Sequence, residues 1–230
     1  MKKSQKNKLY LIMMSVSVIA GLLLSVWVCQ SDALKQKVNH RCATTNQTFQ
    51  TGPVTDTKAA VQQFIPLYED LESLEIIISR QGGAAVDGTI RVTVYSDGGD
   101  LSGMPGHIYA TAERPVAELK SDSYEEFILN AKLEIGKTYW FSVETVQGGE
   151  VLPTVVYRPM VIDRMAENQC MFYEGMELPG ASAACGYNYR LPLTKLQIVT
   201  YTVFCVFLTM LAGSCVYVLI NAVKEKWRKE

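Results

Sequence analysis

Two long uncharged segments constrain what this chain can fold into more than any other feature. The first covers residues 9–28 and the second covers residues 196–223, and neither contains Asp, Glu, Lys, Arg or His. About twenty residues of α-helix cross a hydrocarbon core of about 30 Å. A helix also satisfies its own backbone polar groups where water is absent. The sequence therefore predicts transmembrane helices at residues 9–29 and 195–223.

Both ends of the chain are basic. Residues 1–8 carry four lysines and no acid, and residues 224–230 carry more basic than acidic residues, although the net charge of the whole chain is −1. Lys and Arg beside a membrane span remain on the cytoplasmic side. We therefore predict cytoplasmic tails at 1–8 and 224–230, a cell-membrane location and an extracytoplasmic central region. The expected partners include membrane lipid, whereas the balanced charge gives no nucleic-acid footprint.

The first apolar segment also shares features with a cleaved signal peptide. Its start is basic, and Ser31-Asp32-Ala33 is an acceptable cleavage sequence. Twenty apolar residues exceed the signal core of about 7–15 residues, so an uncleaved anchor is favoured. Lipid attachment at Cys29 is disfavoured because the bulky Trp27 and Val28 precede it. A mature protein that begins at Leu34 would have lost the first apolar segment, and this would exclude the two-span arrangement.

Small residues recur at every fourth position on both predicted helices: Ser17, Gly21 and Ser25 on the first, and Cys205, Thr209 and Gly213 on the second. In an antiparallel pair these would face each other as Ser17 with Gly213, Gly21 with Thr209, and Ser25 with Cys205. Small residues let helix backbones approach closely. The pattern favours packing between the two helices of one chain, and the alternatives are a second copy or a larger membrane protein.

The region between the helices has the pattern of a mainly-β fold. Apolar residues alternate with other residues around Leu74–Ile78, Ile90–Val94, Phe127–Leu129 and Tyr139–Val143, with Gly-rich turns between these runs. A period of two with β-branched and aromatic residues is typical of half-buried strands, and short strands at this spacing indicate a sandwich or barrel. We predict a polar linker with a possible first strand at 30–57 and a β-sandwich at 58–194. A helix over Thr57–Gln63 competes with this interpretation.

Several core and turn positions occur in a recurring order: Gln63-Phe64, Leu71-x-x-Leu74-x-Ile76, Gly88-x-Ile90-x-Val92-x-Val94-Tyr95, Tyr124-x-x-Phe127 and Leu133-x-x-Gly136-x-x-Tyr139-x-Phe141. Over about residues 61–157 this order resembles the galactose-binding-like, carbohydrate-binding-module-like jelly-roll ectodomains of bacterial membrane proteins of cell-envelope polysaccharide assembly. The resemblance implies a jelly-roll β-sandwich outside the membrane and a role near envelope glycans. Residues 170–189 would then form the last strands.

One face of the predicted sheet is a candidate ligand site. If the alternating apolar residues point into the core, then Arg91, Tyr95, Trp140 and Glu144 point outward. Aromatic rings stack on sugar rings, and charged groups hydrogen-bond to sugar hydroxyls. These four residues would form a glycan platform if their strands are neighbours. The alternative is that Trp140 covers the edge of the core or packs against a partner.

Three of the six cysteines are candidates for a disulfide: Cys42, Cys170 and Cys185. All three lie in the predicted extracytoplasmic region, where disulfides persist. Cys170–Cys185 is favoured because closing a loop of about fifteen residues gains roughly 3 kcal/mol, and Cys42–Cys170 is the alternative. Cys205 and Cys215, inside the second span, are expected to act as small packing residues.

No residue pattern indicates catalysis, a cofactor or a metal. His40 and His107 lack metal-ligand spacing, and no nucleophile elbow, phosphate loop or dinucleotide-binding turn occurs. We therefore expect a non-enzymatic, membrane-anchored glycan-recognition module linked to cell-envelope polysaccharide. The alternative is an accessory subunit of a larger membrane protein complex with no ligand of its own.

Overall fold

A computed structural model describes residues 3–41, 44–80, 88–97, 105–146, 152–161 and 170–227. The chain divides into two compact units. The helical unit comprises Met1–Gln36 and Pro192–Glu230, and the sandwich unit comprises Lys37–Leu191.

The helical unit contains α1 (Lys3–Gln30) and α2 (Lys195–Lys226). Thr194 caps α2, because its hydroxyl accepts a hydrogen bond from the Gln197 backbone N–H while the Gln197 side chain accepts one from the Thr194 backbone. The apolar stretches of both helices have a mean hydropathy of 2.4 and are long enough to cross a membrane. Two apolar helices at the ends of a β-rich chain fit a two-pass membrane protein.

The two helices pack against each other through their small residues. A Cβ atom added at Gly21 would lie 2.5 Å from Thr209 Oγ1 and 2.6 Å from Val206 Cα, and one added at Gly213 would meet the Ser17 hydroxyl. Ser25 and Cys205 are 4% and 5% exposed. These contacts show antiparallel helices in the register proposed above for Ser17 with Gly213 and Gly21 with Thr209.

The sandwich unit is built from thirteen strands within the described residues, and a short 3-10 turn, Val116–Glu118, follows the sixth. The first six are β1 (Gln36–Arg41), β2 (Phe49–Gln50), β3 (Ala60–Phe64), β4 (Asp70–Arg80), β5 (Thr89–Asp97) and β6 (Pro105–Pro115). The other seven are β7 (Ser123–Lys132), β8 (Tyr139–Val146), β9 (Pro153–Pro159), β10 (Met171–Tyr173), β11 (Met176–Leu178), β12 (Ala181–Ala183) and β13 (Cys185–Leu191).

These strands form two antiparallel sheets. The seven-stranded sheet has the order β1-β13-β4-β9-β12, with β2 paired to β9 and β7 paired to β4, and the six-stranded sheet has the order β11-β10-β3-β8-β5-β6. Side chains from both sheets share one buried core. The predicted fold class, a mainly-β sandwich with terminal apolar helices, is confirmed.

An aromatic cluster lies at the centre of this core. The Phe64 ring stacks on Tyr187 at 4.9 Å between centroids and lies 6.1 Å from both Tyr139 and Phe141. Phe64 and Tyr139 belong to the six-stranded sheet and Tyr187 to the seven-stranded sheet. The cluster therefore joins the two layers.

The first and last strands of the sandwich are held to β4 by one buried carboxylate. Glu72 accepts a hydrogen bond from Lys37 Nζ at 2.6 Å and from Arg190 Nη2 at 2.8 Å. The hydrogen bond from Arg190, assisted by Lys37, holds the pKa of Glu72 below its usual range despite burial. The chain therefore enters and leaves the sandwich at adjacent strands, β1 and β13.

One local alternative differs from the structure. The segment Thr57–Gln63 contains no helix, because β3 begins at Ala60 and its alternately buried side chains pair with β8 and β10. β1 and β2 lie within residues 30–57, the segment for which a polar linker with a possible first strand was predicted. β1 is polar and β2 has only two residues, so neither strand carries much hydrophobic periodicity.

The favoured disulfide between Cys170 and Cys185 is absent. Cys170 precedes β10 in the six-stranded sheet, whereas Cys185 begins β13 in the seven-stranded sheet. The two residues therefore belong to different layers of the sandwich. Cys42, the third candidate, lies outside the described residues. Burial, with the nearby Glu177 charge, raises the pKa of the Cys170 thiol.

Candidate functional site

The outward face of the six-stranded sheet brings the four candidate ligand-binding residues together. β5 and β8 are direct neighbours, with Arg91 opposite Glu144 and Tyr95 opposite Trp140. On both strands the alternate residues are buried in the core, including Val92 on β5. The period-two pattern therefore directs these four side chains to one side of the sheet, in two adjacent rows.

A groove of about 490 Å³ runs over this face. We call it the sheet groove, and its described lining consists of Asp56, Ala59, Val61, Arg91, Thr93, Tyr95, Ile108, Thr111, Glu113, Ser142 and Glu144. Three of the four candidates line it, and Trp140 does not. Most of the lining side chains can donate or accept hydrogen bonds, and a few are apolar.

A shared ion pair lies in the sheet groove. Arg91 Nε donates to Glu113 Oε1 at 2.7 Å, and Arg91 Nη1 donates to Glu144 Oε1 at 3.4 Å. The hydrogen bond with Glu113 raises the pKa of Arg91 further above neutrality. With Asp56, the described lining carries three carboxylates and one cation, so the sheet groove is acidic.

The two aromatic candidates do not form an open stacking platform. Tyr95 is only 3% exposed, although it lines the sheet groove. Trp140 is half-buried, and its ring packs against Phe172 of β10 at 5.5 Å between centroids. Trp140 of β8 therefore reaches across β3 to pack on β10 of the same sheet, and its ring is only partly available to a ligand.

β6 forms one side of the sheet groove, and hydrophobic periodicity in the sequence did not predict this contribution. Ile108, Thr111 and Glu113 lie on this strand, which pairs with β5 along its length. Because the core-facing positions of β6 include the small residues Ala110 and Ala112, apolar alternation was weak there. The signal that remained was the alternation of these alanines with the polar Thr111 and Glu113.

Within the described residues, no three His, Cys, Asp or Glu side chains gather into a group that could hold a metal ion. His107 instead packs edge-on against Tyr109, with ring centroids 4.7 Å apart. The functional candidates are therefore the side chains of the sheet groove themselves.

Comparisons with known proteins add little to this geometry. No protein-family model matches the chain, and no curated protein is significantly similar to it. A solved structure of the clostridial cysteine protease Cwp84 after propeptide cleavage is similar over 67% of this chain, with 10% identity and a TM-score of 0.42. The match covers 40% of the protease chain. At this similarity the fold class rests on the sheets described above, and no carbohydrate-binding family is assigned.

Proposed function

We propose that this chain is a two-pass membrane protein whose sandwich unit recognises a glycan of the cell envelope. The sheet groove is the observation that carries the proposal. It combines hydrogen-bonding groups with apolar surface on a rigid sheet, and its volume of about 490 Å³ lies within the usual range for small-ligand pockets.

The charge distribution supports an extracytoplasmic position for the sandwich unit. Basic residues follow the second apolar helix and precede the first, so the positive-inside rule favours cytoplasmic termini. Two spans then return the chain to the same side. In this arrangement the helices would anchor the sandwich unit to the membrane and so raise its effective concentration near envelope polymers.

The chemistry of the sheet groove suits a hydroxyl-rich ligand. Arg91 and Glu144 offer charged hydrogen-bonding groups, and Thr111 and Ser142 offer hydroxyls that both donate and accept. Val61 adds apolar surface for the C–H face of a sugar ring. Because acids outnumber bases, we propose a neutral or amine-bearing glycan in preference to an acidic one.

We propose recognition without catalysis. Glu113 and Glu144 both accept hydrogen bonds from Arg91, so two of the three carboxylates in the described lining of the sheet groove share one cation. This arrangement fixes Arg91, Glu113 and Glu144 in place. Side chains fixed in this way can orient a bound ligand. We assign neither carboxylate a separate role as a general acid or base.

The alternative is an accessory subunit that binds a larger membrane protein. Its sequence support was the small-residue stripe, which could bind a partner or a second copy. Gly21 and Gly213 contact the opposite helix of the same chain. A partner would therefore have to bind another surface, and this favours the glycan proposal.

Blocking the sheet groove tests the glycan proposal. In Thr111→Trp, an indole ring placed on an exposed position of the lining should fill the groove. We expect retention of purified host-envelope polysaccharide by the full-length protein in detergent to fall about tenfold, the equivalent of about 1.4 kcal/mol. The measurement is a pull-down with increasing polysaccharide concentration, with neutral and acidic fractions assayed separately.

The matched control is Ile128→Trp, because Ile128 is 63% exposed on the other sheet. This variant should retain polysaccharide as the unaltered protein does. Equal retention by Thr111→Trp and the unaltered protein, or no retention by either, would contradict the proposal.

A further inference from the structure

A second cavity lies on the outer face of the seven-stranded sheet, away from the sheet groove. Its volume is about 240 Å³, and we call it the arginine pocket after Arg41 and Arg158 in its lining. Tyr124 and Ala184 also line it and belong to a small apolar cluster that is separate from the main core. The arginine pocket therefore has an apolar floor and two cationic side chains.

Arg41 is held in place from several sides. Its guanidinium carbon lies 4.2 Å from the centre of the Tyr124 ring, and its Nη2 atom lies 3.1 Å from Glu75 Oε2. The side chain crosses β13 at Gly186, where an added Cβ would lie 3.3 Å from Arg41 Cγ. A cation–π contact and an ion pair thus orient the guanidinium plane before any ligand binds.

Arg158 provides the second cation and an unsatisfied donor. It lies on β9 opposite Ser182 of β12 and is half-buried. Its Nε atom is buried and has no hydrogen-bond acceptor among the described residues. A buried N–H group without an acceptor is costly, and such groups usually have a partner. An oxyanion in the arginine pocket would supply one.

The lining of the arginine pocket is complementary to an anion. Two arginines and the Thr44 hydroxyl can all donate hydrogen bonds, and the described lining contains no carboxylate. A guanidinium group can donate two parallel hydrogen bonds to two oxygens of one phosphate. We propose that the arginine pocket binds a phosphate group, either as a free anion or as a monoester on a larger molecule.

The test uses the full-length protein in uncharged detergent at constant ionic strength. Inorganic phosphate and glycerol 3-phosphate are titrated separately, and binding is measured by calorimetry. We expect saturable binding that weakens at least about tenfold in Arg158→Ala, and less in Arg158→Lys, which keeps the charge but loses the planar fork. Similar affinities for the two probes would indicate a free anion, and tighter binding of the ester would indicate a pendant phosphate.

Two controls separate this site from general charge effects. Lys137→Ala removes an exposed cation that pairs with Glu134 elsewhere on the sandwich unit, and should leave phosphate binding unchanged. Thr111→Trp should also leave it unchanged, because the sheet groove is a different site. Phosphate binding that does not saturate would overturn the proposal. Equal binding by the unaltered protein and by folded Arg158→Lys and Arg158→Ala variants would also overturn it.

Discussion

Replacing Gly21 with leucine is expected to separate the two apolar helices. A Cβ atom at this position would lie 2.6 Å from Val206 Cα, which is backbone and cannot rotate away. Overpacking of this kind costs about 1–3 kcal/mol. The contact between Ser17 and Gly213 lies one helical turn from the substitution, so it should loosen when the helices separate at Gly21.

An engineered disulfide measures this separation. A Cβ atom added at Gly213 would lie 3.2 Å from Ser17 Cβ, close to the Cβ separation of a disulfide, so Ser17→Cys combined with Gly213→Cys should cross-link on oxidation once the native cysteines are replaced. The cross-linked fraction should fall clearly in Gly21→Leu. In Ala20→Leu, which adds the same side chain at an exposed neighbouring position, it should stay high. Equal cross-linking in both variants would refute the helix contact.

Replacing Phe64 with alanine should lower the free energy of unfolding of the sandwich unit by about 3–5 kcal/mol. Phe64 is 1% exposed and contacts aromatic rings of both sheets, so its removal leaves a cavity where the two layers meet. A loss of this size is a large fraction of the stability of a typical domain. Urea denaturation of the full-length protein in detergent, followed by circular dichroism of the strands, gives the measurement.

The surface residue Ile128 provides the comparison for this core substitution. Its side chain is 63% exposed, so Ile128→Ala should change the free energy of unfolding by less than about 0.5 kcal/mol. The loss of unfolding free energy in Phe64→Leu should lie between the losses in Phe64→Ala and Ile128→Ala, because leucine keeps part of the buried volume. If Phe64→Ala and Ile128→Ala had equal effects, Phe64 would not be the central core residue described above.

Strong hydrophobic patterns made much of the architecture predictable from the sequence. The apolar segments correspond to α1 and α2, and the clearest alternating runs correspond to β4, β5, β7 and β8. The same alternation placed Arg91 and Glu144 on one face, because side-chain direction in a strand follows directly from position. Strand pairing then made these two residues direct neighbours.

Features that depend on long-range packing were not predictable in the same way. Glu113 reaches Arg91 only because β6 pairs with β5, and the alanine-rich β6 carries little periodicity. The pairing of Cys170 with Cys185 was proposed from their short separation along the chain. Sheet order, which separation does not reveal, puts these two cysteines in different layers. Trp140 of β8 likewise meets Phe172 of β10 only because β3 pairs with both of these strands.

The two cavities of the sandwich unit differ in the charge of their described linings. The sheet groove has more acidic than basic residues in its described lining, whereas the described lining of the arginine pocket contains two arginines and no acid. The two cavities should therefore select ligands of different charge. The Thr111→Trp and Arg158→Ala variants are expected to separate the two binding activities.

Recognition of an envelope glycan requires the sandwich unit to lie outside the cytoplasm, because such a glycan is found only there. Alkaline phosphatase, which is active only outside the cytoplasm, tests this position when it is fused after Leu191 or after Glu230. We expect an active enzyme after Leu191 and an inactive one after Glu230. An inactive fusion after Leu191, or an active fusion after Glu230, would contradict the two-span arrangement.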